Sequence, residues 1–320
     1  MVSVIIPSRS AQYLKQTVND LLTKAEGEVE VIVVYDGRWP EPEEMPPDDP
    51  RLIQIHHGEI HNNLGMRESI NAGVAVSSGE YLMVIDEQCM VDQGYDKKLA
   101  ADCEDDWVVI PRRKRLDADN WVLVKDGRPD IDYMYIEYPY MKPLDKTQGL
   151  HGAEWKRPDR KDILIDDTPT MQGSCYFLTR KWWDKVIGEL DSTNYGTFTM
   201  EAQEVSLKTW LSGGRVVVNK KTWYAHLHKG RKGKGYGFST EQYKRHSEGM
   251  EKGRLYAVEY WLNTKDFKHD WNWFVTEKFP DMPNWSKDWK ERIKVDKLKD
   301  YSTLKYKDDY WLSGLRDDKK

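Results

Sequence analysis

Polar side chains that suit metal and diphosphate binding follow three short hydrophobic segments near the start of the chain. Ser8 and Arg9 follow the first segment, Asp36 follows the second, and the run DEQ at 86–88 follows a later one. Carboxylate and amide oxygens are the hard ligands that cations such as Mg²⁺ and Mn²⁺ prefer. An acidic pair directly after a hydrophobic strand therefore indicates a divalent cation that holds a diphosphate and stabilises it as it departs.

The elements that must position these residues alternate between strand and helix. Continuous apolar or β-branched runs predict strands at 2–7, 28–36, 52–56 and 81–86, and apolar residues at helical spacing predict helices at 13–24, 63–76 and 240–263. This alternation favours an open, doubly wound α/β sheet. Ligands bind beyond the carboxyl ends of the strands in such sheets, so we expect the three polar segments to meet in one crevice.

Two common phosphate-binding loops are missing from the place where this architecture would carry them. Neither G-x-G-x-x-G nor G-x-x-x-x-G-K-[ST] follows the first strand, which continues into PSRS at 7–10. Dinucleotide-binding dehydrogenases and P-loop NTPases are therefore disfavoured. Nucleotidyltransferases share the sheet and the acidic metal site but usually carry a glycine-rich basic loop here, so they stay open as an alternative.

Composition and charge limit the class of protein further. The 320 residues are 39% hydrophobic and 32% charged, which excludes collagen, coiled-coil and wholly disordered chains. No run approaches the ~20 apolar residues of a membrane helix, and the start lacks a charged region before a long apolar one, so we expect a cytoplasmic protein without a membrane partner. Residues 221–320 carry a net charge of +7 and residues 1–220 one of −12. The basic part indicates either an anionic partner or a solvated helical surface.

Six longer segments carry a resemblance to a known family. They are VSVIIPSRS, VIVVYDG, GMRESINAGVAVSSGEYLMVIDEQC, TPTMQGSCYFLTRKWW, MEAQEVSLKTWLSGG and WYAHLHKGRKGKGYGF. In order and spacing they resemble the GT-A nucleotide-sugar glycosyltransferases of family 2 and their relatives, the polypeptide N-acetylgalactosaminyltransferases, over roughly residues 1–265. The resemblance implies a GT-A fold, a Rossmann-like doubly wound mixed sheet, in a catalytic domain at 1–238. We expect 239–320 to form a helical, aromatic-rich extension that packs on it.

The resemblance implies a metal site made from three positions. Asp86 stands at the first position of a D-x-D or D-x-H motif and Gln88 at the third, while His226 stands at the His of a G-H-V-F motif, with His228 as the alternative. The implied ion is Mn²⁺ or Mg²⁺. Gln88 departs from the family pattern, because a neutral amide oxygen is a weaker ligand than a carboxylate or an imidazole.

Other positions are implied to contact a nucleotide-sugar donor, most simply a UDP-sugar. Asp36 matches a residue that binds the base or ribose, and Gly173 would allow the backbone to approach the sugar closely. The full donor-binding set comprises Pro7, Ser8, Arg9, Asp36, Arg67, Asn71, Gln172 and Gly173.

Three residues are implied to act in catalysis, namely Glu201, Lys229 and Tyr236. Inverting relatives commonly have an Asp that acts as the catalytic base at the position where this chain has Ala202. A retaining mechanism is therefore favoured, in which the departing diphosphate assists the incoming hydroxyl. Glu201 stays open as an alternative base. Lys229 and Tyr236 belong to a basic, glycine-rich segment at 227–238, which we predict to be a mobile loop that closes over the donor; a basic linker is the alternative.

The acceptor follows from weaker signals. The basic run at 112–115, the basic segment at 229–234 and the tryptophan-rich tail suit a phosphate backbone and an extruded base. A hydroxymethylated base in DNA, as in phage-type DNA modification, is therefore the first acceptor hypothesis, although the overall negative charge argues against it. A glycan or a Ser/Thr hydroxyl is the alternative. Because Gln88 and Ala202 depart from the family, a catalytically silent sugar- or nucleic-acid-binding module is the alternative of another class.

Overall fold

A computed structural model describes residues 1–139, 149–227 and 239–297, which are built around a ten-stranded mixed sheet. The strands are β1 (Val2–Ser8), β2 (Val29–Asp36), β3 (Leu52–His57), β4 (Tyr81–Ile85), β5 (Cys89–Val91), β6 (Trp107–Asp117), β7 (Val122–Leu123), β8 (Met134–Ile136), β9 (Gly152–Glu154), β10 (Ile165–Asp167), β11 (Cys175–Thr179) and β12 (Arg215–His226). Strands β8 and β9 form a separate hairpin sheet.

Helices cover the sheet and form much of the second half of the described chain. They are α1 (Leu14–Lys24), α2 (Met66–Val76), α3 (Tyr95–Ala101), α4 (Arg180–Trp182), α5 (Ser192–Tyr195), α6 (Glu201–Leu211), α7 (Thr240–Asn263), α8 (Trp271–Trp273) and α9 (Trp289–Lys297). Short π-helical turns extend α4 over Trp183–Ile187 and α8 over Phe274–Lys278, and a 3₁₀ turn lies at Pro158–Arg160. None of the described helices combines the length and the apolar composition needed to cross a bilayer.

The strand order confirms the predicted α/β class and its mixed sheet. The main path runs β10-β12-β6-β11-β4-β1-β2-β3, with β5 added to β12 and β7 added to β6. Strands β4, β1, β2 and β3 are parallel neighbours, whereas β11 runs antiparallel to both β4 and β6. Parallel strands are covered on both faces, which explains why β2 reads as a continuous apolar run rather than an alternating one.

The parallel arrangement places the predicted polar segments along one edge of the sheet. Strand β1 lies between β4 and β2, so Ser8 at its end lies between the residues that follow β4 and Asp36 at the end of β2. Neighbouring strands are about 4.8 Å apart. The ends of β4 and β2 are therefore about 10 Å apart. The polar residues at the strand ends thus follow one another along the crevice in the order Asp86, Ser8, Asp36.

The C-terminal part confirms the predicted helical, aromatic-rich extension. Helix α7 begins at a capping box in which Ser239 and Gln242 each bond the other's backbone. Hydrogen bonds from two indole groups then join the extension to the rest of the chain. Trp261 Nε1 donates to Tyr195 Oη (2.7 Å) and Trp285 Nε1 donates to the Ile136 carbonyl (2.7 Å). The tryptophans of the described tail thus serve packing rather than forming an exposed platform.

A buried ion pair joins α2 to α6. It involves Arg67, and a separate pair of hydrogen bonds involves Asn71; the resemblance implied that both residues contact the donor. The fully buried guanidinium of Arg67 pairs with Glu204 and donates to the Thr199 carbonyl at 2.6 Å. The amide of Asn71 exchanges hydrogen bonds with the backbone of Leu190. The prediction that Arg67 and Asn71 face the nucleotide is therefore wrong, because both side chains are used inside the protein to fix α2.

Replacing Glu204 with Leu tests the importance of this pair. We expect the free energy of unfolding to fall by about 3–5 kcal/mol, because Arg67 would become an uncompensated buried charge. Urea denaturation measures the change. The control is Lys98→Met, which breaks an exposed pair with Asp92 and is expected to cost less than about 1 kcal/mol. Equal losses in both variants would contradict a dominant role for the Arg67–Glu204 pair.

Candidate active site

A cleft of about 620 Å³ opens at the carboxyl ends of β1, β2 and β4. Six of the residues implied to bind metal or donor line it: Pro7, Ser8, Arg9, Asp36, Asp86 and Gln88. The three polar strand ends therefore meet in one crevice, as the strand pattern predicts. What each of them binds stays a prediction.

Asp36 uses its carboxylate to shape one wall of the cleft. Its two oxygens accept hydrogen bonds from the backbone amides of Leu64 (2.7 Å) and Gly65 (2.9 Å) and from the Asn63 side chain (3.1 Å). Gly65 has a φ of +98°, and a Cβ there would overlap Thr197, so glycine is required. Asp36 thus holds the turn before α2 against the segment that precedes α6.

Glu87, the second member of the acidic pair that the sequence associates with a cation, has a different role in the structure. It is 4% exposed, and its carboxylate accepts from the Ser8 hydroxyl (2.6 Å), the Ala11 amide (3.0 Å) and both the amide and the hydroxyl of Ser10. An acidic residue beside a potential metal ligand suggests a second ligand from sequence alone. The structure instead turns Glu87 away and uses it to fold the loop after β1.

Asp86, Gln88 and His226 come together as implied. His226 Nε2 lies 3.1 Å from Asp86 Oδ2, and Gln88 Nε2 lies 3.0 Å from His226 Nε2 and 3.3 Å from Asp86 Oδ2. The three side-chain atoms form a compact triangle in the cleft wall. Behind it, Arg113 Nη2 lies 3.1 Å from His226 Nδ1.

Strand register explains how residues 140 positions apart reach each other. In the antiparallel pairing of β12 with β5, His226 lies opposite Cys89. The next residue, Leu227, donates its amide to the Gln88 carbonyl at 3.2 Å. Main-chain hydrogen bonds therefore join the end of β12 to the segment that carries Asp86 and Gln88.

The donor set of this triangle fits a divalent cation. Adjacent ligand atoms of an octahedral cation with bonds near 2.1 Å are about 3 Å apart, which matches the three distances above. Gln88 Oε1 is buried and has no hydrogen-bond partner in the described part of the chain. Rotating the amide by 180° would bring that oxygen to the triangle. Among the described residues, no three His, Cys, Asp or Glu side chains form a metal-binding group, so the third protein ligand that this triangle offers is the Gln88 amide.

Glu201 lies close to the segment implied to contact the sugar. It begins α6 and is 4% exposed, and a Cβ at Gly173 would overlap its Oε2. The backbone next to Gly173 is joined to the triangle of Asp86, Gln88 and His226, since Asp86 N donates to the Ser174 carbonyl at 3.1 Å. Gly173 therefore leaves the room that the Glu201 carboxyl occupies. Gln172 lies beside it and, like Gly173, is not part of the cleft lining.

Burial controls the ionisation of Glu201. Burial raises its pKa to about 8, and the nearby charges of Asp86 and Glu204 act in the same direction. The Tyr176 hydroxyl and the Arg67 guanidinium oppose this increase without cancelling it. The carboxyl is therefore mostly protonated at neutral pH.

The basic run predicted to follow a phosphate backbone is paired within the chain. Arg112 binds Asp132 (2.7 Å), Lys114 binds Asp130 (3.1 Å), and Arg115 donates to the Pro129 carbonyl. Arg113, the remaining member at 7% exposed, faces His226. Two of the four cations are therefore paired with carboxylates and a third is buried, so the run gives the DNA acceptor little support, and that acceptor stays a prediction. Lys229, Tyr236 and His228 lie outside the described residues.

A further wall of the cleft was missed by the sequence analysis. It is lined by Thr197, Phe198 and His246. The Thr197 hydroxyl lies 2.8 Å from His246 Nδ1, and the ring centroids of Phe198 and His246 are 5.5 Å apart. His246 belongs to α7. No motif marks these positions, and only the three-dimensional docking of α7 brings them to the cleft.

Replacing Glu87 with Gln tests its role in shaping the site. The new NH₂ group would face hydroxyl and amide donors, so we expect a loss of about 1–3 kcal/mol in the free energy of unfolding and a larger exchange rate for the amides of residues 8–11. Hydrogen exchange and urea denaturation measure both. The control is Glu80→Gln, at an exposed carboxylate directly before β4. It should change neither the free energy of unfolding nor the exchange of these amides. Unchanged exchange in Glu87→Gln would show that the loop does not need this carboxylate.

A family model and several solved structures are similar to this chain in sequence or in fold. The family model described as Glycosyl transferase family 2 matches residues 3–186. A solved structure of GalNAc-T7 with UDP, GalNAc and Mn²⁺ superposes with a TM-score of 0.62 at 15% identity, over 91% of this chain and 54% of that one. TarS from S. aureus superposes with a TM-score of 0.52 at 16% identity, over 98% of this chain and 48% of that one. This chain thus spans about half the length of both. No curated protein sequence matches the chain.

Both structures share the fold of the described sheet, and the family model covers more than half of the chain. The crevice at the ends of β1, β2 and β4 lies largely within the matched residues. The chain therefore belongs to glycosyl transferase family 2 and has the GT-A fold.

Proposed function

We propose that this protein transfers a sugar from a UDP-sugar to an acceptor hydroxyl, with a divalent cation held by Asp86, Gln88 and His226. The observation that carries the proposal is the triangle of side-chain atoms at 3.0–3.3 Å, together with the buried Gln88 oxygen that lacks a hydrogen-bond partner. The GalNAc-T7 structure, which contains UDP and Mn²⁺, has the same fold and supports the choice of donor.

The order of elements along the sheet matches the order of groups in such a donor. Gly173 precedes β11, Asp86 follows β4, Ser8 ends β1 and Asp36 ends β2, and these four strands are consecutive neighbours. A donor laid along this edge would place its sugar near Gly173, its diphosphate near Asp86 and its nucleoside near Asp36. Bound there, the cation would neutralise charge that develops on the departing diphosphate.

The chain's own residues have distinct roles in this arrangement. Arg9 is fixed by hydrogen bonds from its guanidinium to the carbonyls of Asp36 (2.6 Å) and Ile60 (3.1 Å). It lines the cleft as a rigid cation suited to the phosphates. Glu87 keeps Ser8 and the following loop in place. Both residues act on the donor side of the reaction.

The state of Glu201 supports the retaining mechanism that the sequence favours. A carboxyl that is protonated at neutral pH cannot remove the proton of the acceptor hydroxyl. Ala202 supplies no substitute base. We therefore assign Glu201 as a hydrogen-bond donor to the bound sugar and leave proton removal to the departing diphosphate. Comparison of the anomeric configuration of product and donor by NMR tests this step, and an inverted product would contradict it.

The acceptor hypothesis of hydroxymethylated DNA loses one of its supports, because the cations of the 112–115 run are used inside the chain. The described part of the chain adds no new support for it. We therefore propose an acceptor hydroxyl without a requirement for DNA, and mass spectrometry of products from glycan, peptide and hydroxymethylated DNA acceptors distinguishes the classes. A product formed with DNA alone would overturn this choice.

Substitution at Gln88 tests the metal site by a gain of affinity. Gln88→Asp replaces a neutral ligand with a carboxylate, so we expect the affinity for Mn²⁺ to rise about tenfold, because charge of the ligands tunes affinity. Asp86→Ala and His226→Ala should weaken Mn²⁺ binding and abolish release of UDP from the donor. Isothermal titration and a UDP-release assay measure both effects.

The matched control is Gln93→Asp, which adds the same charge at an exposed position in the same region. It should leave Mn²⁺ affinity unchanged. If chelation of divalent cations leaves UDP release intact in the wild-type protein, the metal-dependent function proposed here is wrong.

The ionisation of Glu201 predicts a pH dependence. Because its pKa is raised to about 8, the protonated form is present below pH 8 and is lost as the pH rises through 8. We expect the turnover rate to fall above about pH 8 in the wild type and to stay flat there in Glu201→Gln, whose amide remains a donor. At pH 7 the Gln variant should stay within about fivefold of the wild type, whereas loss of a general base costs about 10²–10⁴-fold. Exposed Glu189→Gln serves as the control. A loss of three orders of magnitude in Glu201→Gln would identify Glu201 as the base instead.

A further inference from the structure

The extension that follows the catalytic sheet contributes directly to the wall of the cleft. His246 on α7 and Phe198 before α6 line the cleft together with Asp36 and Asn63. Their rings are tilted by 46° with centroids 5.5 Å apart. The Phe198 side chain is 40% exposed, which is unusual for a large apolar ring in a protein that buries most of its aromatics. The two rings thus offer an accessible aromatic surface inside the cleft.

Specific polar contacts fix α7 in this position. Gln242 Nε2 donates to the Ile60 carbonyl at 2.8 Å, and Arg245 donates to the side chains of Asn62 (3.1 Å) and Asn63 (3.2 Å). Asn63 in turn donates to Asp36 at 3.1 Å. A continuous chain of hydrogen bonds therefore runs from the end of β2 to α7. The aromatic wall is placed by the same network that shapes the turn before α2.

The aromatic wall of Phe198 and His246 lies at the end of the cleft that is distant from Asp86. Thr197, next to Phe198, packs on Gly65, whose amide binds Asp36. Asp36 ends β2, which is two strands away from β4 and Asp86, a separation of about 10 Å. In the donor orientation proposed above, the group that reaches this end is the nucleoside. A planar base is also the donor group that an aromatic surface binds well.

We propose that Phe198 and His246 form the contact surface for the nucleobase, so that α7 of the C-terminal extension is a determinant of nucleotide binding. This inference rests on the proposed function, since it requires a nucleotide donor. It assigns a binding role to a helix that lies outside the residues matched by the family model.

The protonation state of His246 suits such a contact. Burial lowers its pKa to about 4, and the positive charges of Arg254 and Arg245 act in the same direction. Its ring is therefore neutral across the physiological range. A neutral ring stacks on a base without adding a charge, and the Thr197 hydroxyl fixes its orientation.

Nucleotide titration of the full chain tests the inference. UDP and inorganic pyrophosphate, each with Mg²⁺, are titrated into wild type, Phe198→Ala and His246→Ala by calorimetry. We expect each substitution to weaken UDP binding about tenfold, the scale of one base–aromatic stack, and to leave pyrophosphate binding unchanged. Phe198→Tyr keeps the ring and should restore UDP affinity to within about twofold of the wild type. Glu248→Ala, at an exposed position on α7, is the control.

The outcomes separate the two proposals. If wild type binds UDP and both Ala variants bind it equally well, the aromatic wall does not contact the base and this inference alone is overturned. If the Ala variants lose UDP and pyrophosphate binding together, the residues act on the shape of the whole cleft and the inference is also overturned. If wild type binds neither UDP nor pyrophosphate, the proposed function itself is wrong. Thermal unfolding of each variant identifies any loss of affinity that arises from misfolding.

Discussion

The pairing of β12 with β5 is the constraint on which the candidate site depends. It places His226 opposite Cys89 and lets Leu227 bond the Gln88 carbonyl. A slip of one residue in this pairing would turn the imidazole to the other face of the sheet. Backbone hydrogen bonds, rather than attraction between the side chains, therefore hold Asp86 and His226 within 3.1 Å of each other. The fold alone therefore fixes the relative positions of these two side chains.

Buried carboxylates do different work at successive positions around the cleft. Glu87 accepts four hydrogen bonds and folds the β1 loop, Asp36 accepts three and orders the turn before α2, and Glu204 neutralises Arg67. Glu201 differs from them, because burial is not offset by comparable partners and its pKa is raised to about 8. Three of these carboxyl groups are thus structural, whereas burial without comparable partners raises the pKa of Glu201.

Local patterns were sufficient to predict the first half of the fold. The apolar runs and helical spacings before residue 90 correspond to β1–β4, α1 and α2, because each of these elements is buried by its own hydrophobic pattern. The capped helix α7 was equally clear. Sequence pattern could not show that Arg67 is directed into the protein, since an arginine two residues into a helix looks the same whether it faces a ligand or a buried glutamate 137 positions away. The aromatic wall was invisible for the same reason, because docking of α7 depends on contacts between residues 60–63 and 242–245 that no short motif encodes.

Arg113 adds a constraint on how the cation would be held. A guanidinium only donates hydrogen bonds, so its contact with His226 Nδ1 requires Nδ1 to accept and the neutral ring to carry its hydrogen on Nε2, facing Asp86. Ligation through Nε2 needs the opposite tautomer, and Arg113 would then have to turn away from the ring. Together with the neutral Gln88 amide, this rearrangement reduces the affinity that the chain alone offers. Under the proposed function, phosphate oxygens of the donor would therefore have to supply ligands that the chain lacks, and the diphosphate would offer an anionic partner to the displaced guanidinium.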